Sequence, residues 1–230
     1  MTCAPMGKRL LSLVVCACLL VFCAACAPDD GSSPERTEPT TETPAAAPVP
    51  EDARVLVAYF SWADNAILDD NVDAVSSPNV LPPGNVQQLA EWVQAETAGD
   101  LFAIRVTDSY PSDWDACLDR AHDERGEDAR PALTESVSNI DDYDVVFLGY
   151  PNWWYGVPMP LLTFLEENDL SDKQVYLFCS HGTGGLANSV EIITEAIPDA
   201  TISDNIFDCY EEDTSSSRND IQAWLSELGF

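Results

Sequence analysis

Val145-Val146-Phe147-Leu148-Gly149-Tyr150-Pro151-Asn152-Trp153-Trp154-Tyr155-Gly156-Val157-Pro158 is the stretch whose reading decides the fold. Its first four residues are unbroken apolar, the pattern of a strand covered on both faces in a parallel sheet. The remainder is a loop stiffened by Gly and Pro and loaded with aromatic rings. Open parallel sheets bind ligands at the carboxyl ends of their strands, where side chains are not needed for the core. A buried strand that empties into such a loop builds a rigid platform, a seat for a flat ring. A Trp pair that simply caps the core would have the same composition, because Trp is mostly buried on average, and the loop alone leaves both readings open.

Outward from this stretch, apolar runs recur at 55–60, 101–106 and 175–179, with a weaker one at 200–207. Helical stripes lie between them. Val86, Leu89, Ala90 and Val93 share one face, and Gly99 follows as an expected left-handed terminator. Leu161, Phe164 and Leu165 follow Pro160, which suits a first helical turn. Leu186, Val190, Ile193 and Ile197 stop at Pro198, and Ile221, Trp224, Leu225 and Leu228 form the last stripe. A further helix is expected to begin near Ser112 or Asp113, with Trp114, Cys117 and Ala121 on one face. Strict alternation of strand and helix predicts a three-layer α/β doubly wound fold, with five parallel strands in the flavodoxin-like order 2-1-3-4-5.

The ends set the organisation. Lys8 and Arg9 precede an apolar run from Leu10 to Cys23 and then Ala24-Ala25-Cys26, the plan of a secretory signal. The small-small-Cys ending resembles a lipoprotein signal, which predicts a leader over 1–26, lipidation at Cys26 and an extracytoplasmic, cell-membrane location; plain secretion is the alternative. Residues 27–52 are rich in Pro, Thr, Glu and Ala, the composition of a disordered tether, and 53–230 are one domain's worth of chain. Of the eight cysteines, Cys3, Cys16, Cys18, Cys23 and Cys26 belong to the leader. Cys117, Cys179 and Cys209 remain, an odd number that cannot all pair within one chain. The formal charge of -30 repels nucleic acid. No G-x-S-x-G, Walker loop or metal-type Cys/His spacing occurs, so hydrolase, nucleoside-triphosphate and metal readings have no support.

Three loops leave the carboxyl ends of the central strands: Ser61-Trp62, 151–158, and Ser180-His181-Gly182-Thr183-Gly184-Gly185. In a doubly wound sheet they converge on one crevice. Here the chain resembles the flavodoxin family, and most closely a branch of flavodoxin-like proteins that are often lipoproteins. The pieces that carry the resemblance are Val57-Ala58-Tyr59-Phe60-Ser61-Trp62, Asp100-Leu101-Phe102-Ala103-Ile104, Tyr110-Pro111, Arg130-Pro131, Tyr143-Asp144-Val145, Gly149-Tyr150-Pro151-Asn152-Trp153-Trp154 and 178–185. The resemblance implies non-covalent FMN. Pro151, Asn152, Trp153, Trp154 and Gly156 of the second loop and Ser180, His181, Gly182 and Gly184 of the third would hold the ring. The first loop, Ser61-Trp62, would hold the phosphate.

That first loop departs from the family pattern, in which a Gly-Asn-Thr turn opens the first helix and its N–H groups and hydroxyls cradle the phosphate. Here Ala63-Asp64-Asn65-Ala66 follows Trp62, and the matching piece, Gly84-Asn85-Val86, lies downstream. Residues 63–83 therefore read as an insertion that splits the turn and keeps Ser61 and the helix start together in space. Val86 lacks the expected hydroxyl, a loss of about 1.5–3 kcal/mol, or about tenfold to a hundredfold in affinity. His181 is placed by the resemblance near the ring, whereas His122 sits in a charged, solvated helix face. No catalytic residue is assigned. The leading expectation is an FMN-binding redox protein serving a redox partner protein or a small acceptor. A flavin-free binding module with a decayed phosphate loop and an NAD(P)H-dependent reductase of quinone-like substrates are the alternatives.

Overall fold

The computed structural model of the protein describes residues 52–68 and 78–230, all of which fall in one unit, Ala45–Phe230. The expected leader, lipidation at Cys26 and the tether up to residue 51 lie outside the described residues, as do residues 69–77 of the expected insertion.

The apolar runs become a parallel sheet of β1 (Val55–Phe60), β2 (Asp100–Ile104), β3 (Val145–Pro151) and β4 (Gln174–His181). β1 pairs with β2 on one side and β3 on the other, and β4 pairs with β3. The fifth position is divided. Thr201–Ile202 pairs with Gln174 and Val175 at the start of β4, and β5 (Phe207–Tyr210) pairs with Phe178 to His181 at its end. The order is 2-1-3-4-5, as expected. The single strand expected over 200–207 is corrected to two pieces, the second reaching Tyr210. The break has a local cause: the Ser203 hydroxyl accepts the Asn205 N–H at 3.1 Å, the kind of side-chain bond that competes with a ladder.

Alternate strand residues feed two core layers. On one face α1 (Asn85–Thr97) and α5 (Arg218–Leu228) bring Leu89, Val93, Ile221 and Trp224 onto Val57, Tyr59, Phe147 and Tyr176. On the other, α2 (Trp114–Gly126), α3 (Met159–Glu167) and α4 (Ser189–Ala196) bring Cys117, Leu161, Phe164 and Ile193 onto Leu56, Phe60, Leu148 and Leu177. Each large apolar side chain so buried contributes about 1.5–3 kcal/mol relative to exposure. Asp113 caps α2 by accepting the Ala116 N–H at 2.9 Å, and Pro160 stands in the first turn of α3.

Two local expectations change. The left-handed residue after α1 is Ala98, with φ 53°, not Gly99. Gly99 is needed for contact instead, because a Cβ there would lie 2.9 Å from both Cγ1 and the carbonyl oxygen of Val55. The described parts of the insertion are built into the fold. Trp62–Asn65 is a helical turn, Ala66–Ile67 pairs with Tyr110–Pro111, and Pro78–Val80 is a 3-10 turn with Val80 fully buried. The Asn65 amide fixes the first part, donating to Ser61 O at 2.8 Å and Ile104 O at 2.9 Å and accepting from Val106 N at 2.8 Å. Among the described residues no helix is long and apolar enough to cross a membrane.

Candidate functional site

The carboxyl ends of β1, β3 and β4 open on one cleft of about 400 Å³. Of the residues expected at the site, Ser61, Trp62, Asn85, Val86, Pro151, Asn152, Trp153, Trp154, Ser180, His181, Gly182 and Gly184 border it. Gly84 stands immediately behind: a Cβ there would come 2.4 Å from Ser61 Oγ and 2.9 Å from Ala63 Cβ. The split turn is thus rejoined in space, with glycine required where the helix start meets the β1 loop. Gly156 is corrected to a position off the cleft. A Cβ on it would lie 3.0 Å from Ile192 Cδ1 and 3.2 Å from an Arg125 guanidinium nitrogen, so it lets the second loop close against α2 and α4.

The second loop is a tight turn in which Gly156 N donates to Trp153 O at 3.0 Å. Its central residues, Trp154 and Tyr155, both have positive φ, 51° and 60°, the combination that ordinarily selects Asn-Gly. Outside contacts hold it there. Arg125 donates to the Trp154 carbonyl, Trp154 Nε1 donates to Leu118 O at 3.1 Å, and Asn188 N donates to Tyr155 O at 3.2 Å. The two tryptophans diverge. Trp153 packs edge-on against Phe60 and Tyr110, with centroids 5.5 and 5.3 Å away, whereas Trp154 lies over α2 with its ring 4.9 Å from that of His122. Tyr155, 63 % exposed, reaches the third loop, where a Cβ on Gly184 would touch its ring at 3.2 Å. Asn152 Nδ2 donates to Gly185 O, which ties the second loop to the third.

One wall was not foreseen. Trp114, Cys117, Leu118 and Ala121 of α2 border the cleft, with the Trp114 ring 5.9 Å from that of Trp62. The sequence placed Trp114, Cys117 and Ala121 on one face of this helix but assigned that face no part in the site. Burial pushes the Cys117 thiol up to about 12 and raises the Tyr110 hydroxyl, which also donates to Glu124 at 2.5 Å. The opposite end of the cleft is polar, with Asn79, Asn85, Ser180 and Glu211. Glu211 follows the carboxyl end of β5, and the rule that picked out the other loops applies to it as well. Val86 has its side chain in the core, 2 % exposed. The first N–H groups of α1, at Asn85, Val86 and Gln87, have no acceptor within the helix.

A flat heteroaromatic ring with a polar tail fits this donor set: apolar rings at one end, an open helix N-terminus with the glycine cradle at the other. Among the described residues no group of His, Cys, Asp and Glu could hold a metal ion.

Residues 79–228 match the family model for flavodoxin. Among solved structures, a candidate flavoprotein from Bacteroides eggerthii is 28% identical with a TM-score of 0.59, covering 78% of this chain and 99% of its own. A second, from Bacteroides uniformis, is 22% identical with a TM-score of 0.59, covering 76% of this chain and 98% of its own. A flavoprotein from Lactobacillus acidophilus in complex with FMN is 17% identical with a TM-score of 0.51, covering 73% of this chain and 99% of its own; at these identities the last two show the fold alone. A comparison with curated proteins found no match.

Proposed function

The chain belongs to the flavodoxin family, and on that premise we propose that it binds FMN non-covalently and carries electrons to or from a redox partner protein or a small quinone-like acceptor. The observation that carries this reading is the single cleft on which the loops after β1, β3 and β4 converge, aromatic at one end and bounded by the start of α1 at the other. Bound FMN would supply the electron-transfer chemistry, while the protein positions it and tunes its potential.

Each part of the cleft has a task in this reading. Trp62, Trp114, Trp153, Trp154 and Tyr155 surround the ring with apolar faces, and such contacts contribute about 0.5–1.5 kcal/mol each beyond area burial. The Asn152–Gly185 bond keeps the second and third loops at a fixed separation. The free N–H groups of α1 and its dipole attract the phosphate without a Lys or Arg. Cys26 would carry a lipid anchor, and 27–52 would hold the domain off the outer face of the cell membrane.

The test is a titration of the purified protein with FMN, followed by quenching of flavin and Trp fluorescence. A yellow preparation with saturable quenching supports the reading. A colourless protein that leaves FMN fluorescence unchanged overturns it and favours a flavin-free binding module.

A further inference from the structure

We propose that Asp208 is a positioning residue of the flavin site: it holds His181 doubly protonated, so that an imidazolium stands on the ring side of the cleft and offsets negative charge gained there. This rests on the flavin reading above and adds to it a residue that lies outside the three loops.

The strand pattern decides which way His181 turns. Side chains alternate along β4: Cys179 enters the core layer of α2, α3 and α4, and Ser180 turns the other way, its hydroxyl accepting Asn85 Nδ2 from α1 at 3.3 Å. His181 therefore stands on the side of Cys179, where α2 brings Trp114 and Cys117 to the cleft. β5 runs beside it in parallel, with Asp208 opposite Cys179 and Tyr210 opposite His181, so the Asp208 carboxylate comes to the same side. There His181 Nε2 donates to Asp208 Oδ2 at 2.7 Å, and Nδ1 donates to Gly182 O at 2.8 Å.

Both partners are oxygens with no hydrogen to give, because a backbone carbonyl and an ionised carboxylate only accept. A neutral imidazole has one N–H, so one of the two contacts would set a ring lone pair against oxygen; the doubly protonated ring satisfies both. The His181 side chain is 12 % exposed against 43 % for that of Asp208, so water is largely kept from the ring and an unmet contact there is costly. The neighbouring charges act in the same sense. Among the described residues bordering the cleft, His181 is the one whose side chain can carry positive charge. Tyr210 of β5 has its ring 6.4 Å away, and Glu211, whose N–H donates to His181 O at 2.8 Å, borders the cleft. Burial keeps the Tyr150 hydroxyl of β3 and the Cys179 thiol protonated, and the Asp208 charge adds to the effect on both. The two carboxylates of this set, Asp208 and Glu211, favour the cation. The formal charge of -30 is spread over the chain and screened over about 10 Å at 0.1 M salt, whereas this one positive charge borders the cleft itself.

The chain has two histidines, His122 and His181, so ring-nitrogen NMR of the full-length protein labelled at histidine resolves them, with His181→Gln as the assignment. Without ligand and at neutral pH, His181 should show two protonated ring nitrogens in the unaltered protein and one in Asp208→Asn. The second readout is the ratio of affinities for dithionite-reduced and oxidised FMN. His181→Gln should lower that ratio by about tenfold, as loss of one charge-assisted contact predicts. Asp208→Asn should lower it by less at neutral pH, and acidification, which restores the His181 proton, should bring it back; His181→Gln should not recover. That rescue by acid separates placement of charge from support of the fold. A single protonated nitrogen on His181 in the unaltered protein, an unchanged His181 signal in Asp208→Asn, or an unchanged affinity ratio in His181→Gln each overturns the proposal and leaves the flavin reading intact. Binding of neither form of FMN to the unaltered protein overturns the flavin reading and the proposal with it. Thermal unfolding verifies that each variant folds, and His181→Asn, read by the same ratio, replaces a Gln variant that does not.

Discussion

Trp153 and Trp154 are neighbours in sequence with opposite tasks, and single substitutions separate them. Trp153→Ala removes a ring wedged between Phe60 and Tyr110 and should destabilise the fold by about 3 kcal/mol in denaturant melts. Trp154→Ala removes a ring 39 % exposed on the rim; it should leave stability within about 1 kcal/mol and reduce, without abolishing, the Trp quenching on FMN addition, because Trp62, Trp114 and Trp153 also border the cleft. Val86→Thr replaces a core methyl by a hydroxyl. It should lower stability by about 1–3 kcal/mol without the tenfold gain in FMN affinity that a phosphate-facing hydroxyl would give. The sequence made the aromatic loop visible but not the division of labour within it, since that division depends on the left-handed backbone at Trp154 and Tyr155. Val86 was misjudged for a related reason: position in a motif does not say which way a side chain turns.

At the scale of elements, the turn from Trp153 to Gly156 sets local preference against placement of rings. Replacing Trp154-Tyr155 by Asn-Gly supplies the residues that favour positive φ and should raise the unfolding midpoint, because relief of two left-handed non-glycine residues is of order 1 kcal/mol or more. FMN affinity should fall in the same variant. A lower midpoint would mean that the Leu118, Arg125 and Asn188 contacts outweigh the strain. The strand order was legible because the first, third and fourth strands are unbroken apolar runs and each helix between them has a 3.6-residue stripe. The divided fifth strand was not, since a single hydroxyl bond at Ser203 causes the break. The α2 wall of the cleft was hidden because a stripe that faces a binding cleft has the same periodicity as one that faces the core. The ends of the insertion were illegible for a third reason: Asn65 holds its turn through Ile104 and Val106, some forty residues away in sequence.

Two expectations belong to the molecule as a whole. Burial raises the pKa values of Tyr59, Tyr110, Tyr150 and Cys179 well above their ordinary ones, and that of Cys117 to about 12. These groups keep their protons in the folded state at a pH where the unfolded chain releases them, so the unfolded state binds fewer protons and stability falls as pH rises. For Cys117 the loss begins near the ordinary thiol value of 9.0 and continues to about 12. Each such group adds a slope of about 1.4 kcal/mol per pH unit within its window and nothing below it. Denaturant melts across pH 7 to 11, about the range set by these ordinary values, should therefore be flat at first and decline steeply at the alkaline end. A flat profile throughout would show that these groups are less buried than described. The formal charge of -30 should oppose addition of negative charge to a bound ring, so the second reduction potential should be low and should rise as salt screens the field over about 10 Å at 0.1 M. Equal potentials at low and high salt would make the net charge irrelevant to the redox step.

The interruption between Thr201–Ile202 and β5 has a consequence for life in crowded surroundings. A long, even outer strand would present a row of unpaired backbone groups on which another chain could add itself, the first step of edge-to-edge association. Here the margin beside β4 ends in pieces of two and four residues, out of line with one another across the Ser203 bend. No incoming strand can follow both. The irregularity that hid the fifth strand from its own sequence pattern also denies this edge of the sheet a template for growth.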